Sequence, residues 1–342
     1  MLKYGFYNDY SEGAHPRILE LLQQTNGNQE IGYGDDRLSA RATELIRQAL
    51  GQPDADIHYV TGGTQANLIV LASILRSHES VIAAQTGHIH VHEAGAIEAV
   101  GHRINIAPSV DGKLSPEGVI EVLDQHTDEH MVKPRAVFIS NATELGTVYT
   151  KLELENLHEL CRSRNLVLYM DGARLGAALC SPASDVKLSD LCELVDVFYI
   201  GGTKNGALLG EAIVINHHDL RSDFRYHIKQ RGAMLAKGRL IAAQFVALFT
   251  DNLFFDLAQH ADAMAAKLQH GMASLDLRFF SNSTTNLIFP ILPNQVLHKM
   301  LSMYGFYEYA RIDASHTAVR IVTSWATPEA RVDEFLADLS RT

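Results

Sequence analysis

Short apolar runs alternate with amphipathic stretches along residues 40–215 of the chain. The runs that we predict as strands are Ile57–Val60, Val81–Ala84, Ala136–Ser140, Leu166–Met170, Val197–Ile200 and Ala212–Ile215. Apolar residues recur at helical spacing near residues 38–50, 64–77, 116–127, 153–163 and 185–193. Alternation of strands and helices predicts an α/β fold, in which a mostly parallel sheet is covered by helices on both faces.

The pattern changes after Glu211. Two long stretches, Ala233–Leu248 and Leu253–Ala273, have helical spacing and could link two domains. The remainder, from Leu277, predicts strand, helix, strand, strand and helix, with strands at Asn286–Phe289, Phe306–Tyr309 and Ala318–Val322. We therefore expect an N-terminal segment (residues 1–30), a large domain (residues 31–250) and a small C-terminal α/β domain (residues 251–342).

Composition narrows the class of protein. A chain of 342 residues, 46% of them hydrophobic, is long enough to bury a substantial core. Its net charge of -11 gives no electrostatic footprint for nucleic acid, and no apolar run approaches the ~18 residues of a membrane helix. Because the N-terminus also lacks an apolar signal core, we expect a cytoplasmic protein without nucleic-acid or membrane partners. The three cysteines lack metal-type spacing, which favours buried reduced thiols.

Asp171 and Lys204 are the most informative pair of residues. Each follows an apolar run predicted as a buried strand, so both should lie at the carboxyl edge of one sheet, where open α/β folds bind ligands. A carboxylate that faces a pyridinium nitrogen and a lysine that forms a Schiff base are the groups that pyridoxal 5'-phosphate (PLP) requires. The alternatives are an ion pair between Asp171 and Arg174 and a solvent-facing Lys204. The pair together favours the cofactor.

A glycine-rich turn, Gly62–Gly63–Thr64, follows the first predicted strand and opens an apolar helix. Backbone amides at such a helix N-terminus would point at an anion and would suit a phosphate group. The alternative is a tight turn that Thr64 caps. The segment lacks Gly-Lys-Ser/Thr and is therefore not a nucleotide P-loop.

Three histidines stand at alternate positions, His88, His90 and His92. On a strand they would share one face and could bind a metal ion. The following residues read as a helix, however, and a helix that begins near His90 would make the three side chains diverge. We favour the second interpretation and assign no metal site, with His88 at the carboxyl edge beside Asp171 and Lys204.

Other charged residues have two interpretations each. Arg320 lies on an apolar strand, and because an unpaired buried guanidinium is costly it is a candidate anchor for a substrate carboxylate. Asp36, after Tyr33, fits a helix cap without any function. The stretch Lys229–Arg231 reads as solvated surface, with a phosphate clamp as the alternative.

As an ordered set, these motifs resemble the threonine aldolase and β-eliminating lyase family of PLP enzymes. The resemblance runs through most of the chain. Its carriers are Tyr33–Asp36, Gly62–Thr64, His88 with Glu93–Gly95, Asp171–Arg174, Gly201–Gly206 and Arg320 with Thr323–Trp325. It implies the PLP-dependent transferase-like fold of aspartate aminotransferase, with a mostly parallel seven-stranded sheet in the large domain.

The resemblance also implies roles for individual residues. Lys204 looks like the lysine that carries the cofactor, Asp171 like the partner of its ring nitrogen, and His88 like the imidazole stacked on the ring. Gly62, Gly63 and Thr64 look like the phosphate cup. Arg174 and Arg320 look like anchors of the substrate carboxylate.

Subunit contacts and substrate contacts follow from the same resemblance. It implies a homodimer or homotetramer with shared active sites, in which Tyr33 reaches a neighbour's cofactor. Asn8 stands where the family often has a serine near the substrate carboxylate, and a basic pair is respaced around residues 229–239. Both departures concern substrate identity rather than reaction type.

The expected reaction is retro-aldol cleavage of L-threonine, L-allo-threonine or a related β-hydroxy amino acid to glycine and an aldehyde. The nearest alternative keeps PLP and eliminates a β-substituent from the amino acid. A metal-dependent hydrolase built on the three histidines and a non-catalytic binding protein are the other readings. His88 or an ordered water is the candidate general base, and the sequence does not decide between them.

Overall fold

The computed structural model describes residues 2–342 of the protein. Its strands are β1 (Tyr4–Gly5), β2 (Asp56–Val60), β3 (Glu79–Ala84), β4 (Arg103–Ala107), β5 (Ser109–Val110), β6 (Lys113–Leu114), β7 (Lys133–Ser140), β8 (Val167–Asp171), β9 (Val197–Gly201), β10 (Glu211–Ile215), β11 (Leu287–Ile288), β12 (Ile291–Pro293), β13 (Tyr304–Gly305), β14 (Tyr307–Arg311) and β15 (His316–Val322).

Helices connect most of these strands. They are α1 (Pro16–Thr25), α2 (Arg37–Leu50), α3 (Gly63–Ile74), α4 (His88–Val91), α5 (Ala96–Ala99), α6 (Pro116–Asp124), α7 (Lys151–Ser163), α8 (Leu175–Cys180), α9 (Leu191–Leu194), α10 (Phe224–Gln230), α11 (Arg239–Leu248), α12 (Leu253–Ala273), α13 (Asn294–Leu301) and α14 (Glu329–Leu339). Short 3₁₀ turns lie at Leu188–Asp190 and His218–Leu220.

Seven strands form the central sheet in the order β2-β10-β9-β8-β7-β3-β4. All neighbouring pairs are parallel except those of β10, which runs antiparallel to both β2 and β9. The carboxyl ends of β2, β3, β7, β8 and β9 therefore meet at one edge, and β10 begins there. The predicted α/β class and the mostly parallel seven-stranded sheet are confirmed.

Apolar side chains fill both faces of the sheet because its central strands are buried throughout. Every residue of β3, β8, β9 and β10 is buried. Alternate residues of β9 divide between two hydrophobic clusters, with Phe198 and Ile200 on one face and Val197 and Tyr199 on the other. This two-sided burial explains why these strands read as continuous apolar runs rather than as alternating patterns.

Helix α2 shows how local sequence sets a boundary. Asp36 is its N-cap, and the Asp36 carboxylate accepts hydrogen bonds from the Ser39 amide and hydroxyl, each at 2.8 Å. Gly51 ends the helix in the left-handed region, at φ 66°. The interpretation of Asp36 as a helix cap is confirmed.

The C-terminal part of the chain carries a second sheet, in which β15 pairs with β11, β12 and β14. Its apolar face packs against α12 and α14 in a separate cluster that includes Leu268, Val319 and Phe335. Phe6 lies in the same cluster, and β1 pairs with β13, so the N-terminal residues pack on the C-terminal part. The domain limits at residues 30 and 250 stay predictions.

No single helix among residues 2–342 is long and apolar enough to cross a membrane. Helices α11 and α12 reach that length and composition only as a pair, and the pair is bent by 72°.

Candidate active site

The two residues that carry the prediction end neighbouring strands. Asp171 is the last residue of β8, and Lys204 follows β9 by three residues. The two strands are parallel neighbours, so their carboxyl ends lie side by side. Glycine permits the close approach of the two segments at this edge, since a Cβ on Gly201 would lie 2.5 Å from the Ala173 carbonyl oxygen. The expected shared edge is confirmed.

Asp171 is a buried carboxylate with a fixed orientation. The Tyr199 hydroxyl donates to Oδ1 at 2.5 Å, the Ala173 amide donates to Oδ1 at 3.0 Å, and Asn67 Nδ2 donates to Oδ2 at 3.1 Å. These three donors hold the carboxylate in one orientation. No ion pair with Arg174 forms, because that guanidinium bonds elsewhere.

A chain of buried hydrogen bonds joins Asp171 to His88. Asn67 Nδ2 donates to Glu93 Oε1 at 2.6 Å as well as to Asp171, and its carbonyl oxygen accepts from the Tyr169 hydroxyl at 2.7 Å. His88 Nδ1 lies 2.7 Å from the same Glu93 oxygen. Because a carboxylate only accepts hydrogen bonds, the His88 ring donates from Nδ1. This network holds His88 in one orientation.

The histidine run is helical, as the favoured interpretation expects, but the helix begins earlier. Helix α4 begins at His88 rather than near His90, and the break before α5 places Ala94 and Gly95 at φ 51° and 72°. The rings of His88 and His92 lie together, with centroids 5.4 Å apart, and all three histidines border one cavity. The potential ligand atoms of His88, Glu93 and Asp171 lie within 4.8 Å of one another. The hydrogen bonds of the Asn67 network account for that closeness.

The glycine turn forms a cup at the start of α3. Gly62 is the N-cap, without a side-chain hydrogen bond to the first turn, and no acidic residue lies in that turn. Thr64 is inside the helix and does not cap it. A cavity of about 420 Å³ opens over Gly62, Gly63 and Thr64, and Arg231 borders it. Gly63 lies against the Tyr199 hydroxyl that bonds Asp171, because a Cβ on Gly63 would be 2.7 Å from that oxygen.

Arg231 therefore belongs to the cup rather than to plain surface. Its Nε is buried without a hydrogen-bond partner among residues 2–342, and burial lowers the pKa of its guanidinium. Of the two interpretations of Lys229–Arg231, the position of Arg231 favours the phosphate clamp.

Lys204 faces a cavity of about 870 Å³, which it lines together with His88, Glu144, Arg174 and Arg320. Burial, and then the charge of Arg174, lower the pKa of the Lys204 amine. A lowered pKa makes the neutral, nucleophilic amine more available. Within the described part of the chain, the amine forms no hydrogen bond or ion pair.

Glu211, the first residue of β10, anchors the loop that carries Lys204 by two hydrogen bonds. Glu211 accepts from the Gly202 amide at 3.0 Å and from the Thr203 hydroxyl at 2.8 Å. Burial raises the pKa of Glu211 to about 8.

Arg174 forms a buried bidentate pair with Asp9. Nε and Nη2 donate to the two Asp9 oxygens at 2.7 and 3.0 Å, and Asn286 Nδ2 also donates to Asp9 at 2.9 Å. Burial opposes ionisation of Asp9, but the charges of Arg174 and Lys204 outweigh it and lower the Asp9 pKa. Arg174 also borders the cavity.

Arg320 is the second cation of the cavity. It lies on β15 opposite Tyr307, and its Nε is buried without a hydrogen-bond partner in the described chain. Burial, and then the charge of Arg174, lower the pKa of its guanidinium. Asp9 pairs with Arg174, whereas no carboxylate pairs with Arg320 in the described chain. The two guanidinium groups together therefore suit an anionic ligand group.

Asn8 and Tyr33 do not line the cavity that contains Lys204. The Asn8 side-chain oxygen accepts from the Tyr10 amide and the Ser11 hydroxyl, each at 3.0 Å, so it closes a turn; Tyr10 borders the cavity. Tyr33 is 47% exposed, lies at φ 63° and borders a different cavity of about 440 Å³. The Lys229 ammonium lies 4.6 Å from its ring centroid.

Sequence reasoning missed several residues of the site. Asp9, Glu144, Glu211 and Tyr199 are buried or half-buried polar groups, and each owes its place to a partner in another element. Glu144 offered one signal, an acidic residue just after a predicted strand that ends at the carboxyl edge.

The residues present fit PLP. The site combines a buried carboxylate held by three donors with an amine of lowered pKa just after the adjacent strand, and these match a ring nitrogen and an aldehyde. A helix N-terminus without a side-chain cap, beside an arginine whose Nε has no partner in the described chain, matches a phosphate. Fold and site thus define a PLP-dependent enzyme with the architecture of aspartate aminotransferase.

Known proteins agree with this class. The family model of beta-eliminating lyases matches residues 17–294. The chain is 35% identical to a low specificity L-threonine aldolase of Pseudomonas sp. (strain NCIMB 10558), over 98% of this chain and 96% of that protein. It is 30% identical to the low specificity L-threonine aldolase of Escherichia coli (strain K12), over 90% and 89% of the two chains.

Solved structures extend the comparison. The threonine aldolase of Leishmania major superposes with a TM-score of 0.97 at 46% identity, over 99% of both chains. An aspartate aminotransferase of Thermus thermophilus shares the fold, with a TM-score of 0.73 at 14% identity, over 99% of this chain and 91% of the other. The protein belongs to the beta-eliminating lyase family, and within it is a PLP-dependent carbon–carbon lyase akin to the threonine aldolases.

Proposed function

We propose that this protein cleaves L-threonine, L-allo-threonine or a related β-hydroxy amino acid to glycine and an aldehyde. The observation that carries the proposal is the cavity that Lys204 shares with Arg174, Arg320 and His88, beside the fixed carboxylate of Asp171. The names of the relatives point to the same reaction.

In this proposal, eight residues would hold the cofactor. Lys204 would attach it, Asp171 would pair with its ring nitrogen, and His88 would contact the ring. The phosphate and the ring substituents would be held by Gly62, Gly63, Thr64, Arg174 and Arg231. Support comes from the rigid hydrogen bonds of Asp171 and His88, since a fixed carboxylate and a fixed imidazole can position a flat ring without reorganisation.

The substrate carboxylate would bind between Arg320 and Arg174, with Asn8 nearby. Charge-assisted hydrogen bonds from two guanidinium groups would orient the amino acid relative to Lys204. The unpartnered Nε of Arg320 supports this assignment because a bound carboxylate would satisfy it. The half of Arg174 that bonds Asp9 would keep that guanidinium in position.

The chemistry requires an electron sink, which PLP supplies when bound by accepting the electron pair of the broken bond. The protein must fix the carboxylate, take the proton of the β-hydroxyl group and return a proton to Cα. The Cα–Cβ bond breaks, the β-carbon leaves as the aldehyde, and the amino acid that remains is glycine. Lys204, with its lowered amine pKa, is placed to move a proton at Cα.

A product assay tests this proposal. L-threonine, L-allo-threonine and L-serine are each incubated with the protein, and glycine and aldehyde are measured against 2-oxo acid and ammonia. Equal amounts of glycine and aldehyde are expected, and Lys204→Ala should abolish them. 2-Oxo acid and ammonia instead would support the alternative, β-elimination.

We further propose a cytoplasmic homodimer or homotetramer in which active sites are shared. Tyr33 supports sharing, since its exposed ring borders no part of the cavity that contains Lys204 in its own chain. Light scattering would measure the subunit number. If Tyr33 acts across subunits, mixing a Tyr33→Ala protein with a Lys204→Ala protein should restore activity to the mixture, whereas sites confined to one chain would stay inactive.

A further inference from the structure

Glu144 places a carboxyl group at the wall of the cavity and fixes one of its two oxygens. It follows β7, whose last residue is Ser140. The Ser140 hydroxyl donates to Glu144 Oε1 at 2.7 Å, and the backbone amide of His88 donates to the same oxygen at 3.0 Å. These two donors come from β7 and from the start of α4, so they lock the side chain between two elements of the carboxyl edge.

The second oxygen of Glu144 is directed to the cavity. Oε2 accepts no hydrogen bond from residues 2–342 and is not among the fully buried polar atoms without partners. The side chain lines the same cavity as Lys204, Arg174 and Arg320. A carboxylate oxygen with two free lone pairs thus faces the space where the substrate would lie.

The surroundings of Glu144 give this group a pKa suited to proton transfer. Burial raises the Glu144 pKa, and the negative charge of Asp171 raises it further. The hydrogen bond from the Ser140 hydroxyl and the electrostatic interaction with the His88 side chain both lower it. A carboxyl group with a raised pKa takes up and releases protons closer to neutral pH. The other titratable or charged groups that face it are Arg174, Tyr149, Tyr309 and Lys204.

We propose that Glu144 is the general base that accepts the β-hydroxyl proton of the substrate, at Oε2. This inference rests on the proposed aldol cleavage. The proton passes from the hydroxyl oxygen to Oε2, the O–H electron pair becomes the second bond of the aldehyde carbonyl, and the Cα–Cβ pair remains on Cα. Cα then takes up a proton to give glycine, and Glu144 releases its proton to solvent when the aldehyde leaves.

The test compares two reactions of one variant, Glu144→Gln. The glutamine side-chain oxygen can still accept from Ser140 and from the His88 amide, so the local structure is preserved, but the base is lost. We expect kcat/KM for L-threonine cleavage to fall by about 100-fold or more. Exchange of the glycine α-hydrogen with deuterium in D₂O involves no β-hydroxyl proton, so it should stay within about twofold of the wild type.

The cofactor supplies a readout that is independent of turnover. Glu144→Gln should bind PLP with the absorbance spectrum and affinity of the wild type. Glu155→Gln is a charge-matched control, because Glu155 is exposed on α7, does not border the cavity and forms no hydrogen bond or ion pair among residues 2–342. Its cleavage rate should stay within about twofold of the wild type.

Three results would overturn the proposal. Cleavage by Glu144→Gln at the wild-type rate would show that no base is lost, and equal loss of cleavage and of glycine exchange would indicate a structural role. Selective loss of cleavage in His88→Asn but not in Glu144→Gln would assign the proton to His88. A wild-type protein that exchanges glycine but releases no aldehyde would overturn the proposed function itself, before any variant is made.

A second variant keeps the proposal testable if Glu144→Gln does not fold. Ser140→Ala removes a hydrogen bond that lowers the Glu144 pKa, so that pKa should rise. Because the base must be ionised, the acidic limb of the kcat/KM profile should move to higher pH. An acidic limb that does not move would contradict the role of Glu144.

Discussion

The buried pair between Asp9 and Arg174 allows one prediction to be worked through in detail. Asp9→Asn removes the charge that faces Arg174 and changes little in shape. The Asp9 and Arg174 side chains are only 1% and 12% exposed, so solvent cannot replace the lost carboxylate. A guanidinium does not deprotonate in proteins, and Arg174 would therefore remain charged and only partly satisfied.

The expected cost follows from that burial. Removing one partner of a buried pair destabilises a protein by about 3–5 kcal/mol. For a chain of 342 residues, with an unfolding entropy of about 2.1 cal/mol/K per residue, this corresponds to a fall in Tm of about 4–7 °C. The cost is about 3 kcal/mol, and the fall in Tm about 4 °C, if the asparagine oxygen still accepts one of the three hydrogen bonds that Asp9 receives.

The assay is thermal unfolding at fixed protein and PLP concentrations, because ligand and subunit binding shift Tm. Glu44→Gln is the matched control: its pair with Arg41 is half exposed, and its loss should change Tm by less than about 1.5 °C. The double variant Asp9→Asn/Arg174→Met should lose less stability than the sum of the two single variants. A fall in Tm for Asp9→Asn no larger than that of the control would refute the reasoning.

Three further predictions concern charge. Asp171→Asn should lower kcat by about 10²–10³-fold, since the charge that keeps the ring nitrogen protonated is lost, whereas an equal loss in Tyr33→Phe would argue against that role. Arg320→Met should raise KM for L-threonine while Lys204 still binds PLP; an unchanged KM would remove Arg320 from substrate binding. Burial raises the Asp262 pKa to about 8, above its unfolded value, so its stabilising contribution is complete below about pH 4 and is lost as pH rises towards 8. The free energy of unfolding should therefore fall with pH more steeply in the wild type than in Asp262→Asn, by at most about 1.4 kcal/mol per pH unit, and parallel curves would contradict this.

Much of the fold was predictable because burial on both faces leaves a direct trace in the sequence. Strands β8 and β9 are apolar throughout, and their ends fixed the places of Asp171 and Lys204. Strand β4 was missed: it lies at the edge of the sheet, where Asn105 is buried and Ile106 is exposed, so Arg103–Ala107 shows no apolar run. Helix α1 was also missed, and it fell within the segment that we left without structure.

One predicted helix began too early. Apolar spacing suggested Ala233–Leu248, but α11 begins at Arg239. Gly238 lies against the backbone of Gly34, where a Cβ would be 2.8 Å from its nitrogen, so the segment before α11 follows a tertiary contact rather than its own pattern. Helix α12 spans Leu253–Ala273, and its limits were predicted correctly.

The site was predictable only where motif and strand end coincide. Arg174 was identified, but its partner Asp9 lies 165 residues away in sequence, and no local pattern indicates that pair. The same holds for Glu144, whose orientation depends on the His88 amide 56 residues away. Hydrogen bonds between elements decide which way a side chain points, and they become visible only in three dimensions.

The attachment of PLP to Lys204 is the claim on which the account depends, and borohydride reduction tests it most directly. The PLP-containing protein is reduced and digested, and the modified lysine is located by mass spectrometry. We predict a single pyridoxyl group on Lys204, on the loop that Glu211 anchors beside Asp171. A pyridoxyl group on another lysine such as Lys229, or a protein that borohydride leaves unmodified, would contradict the account.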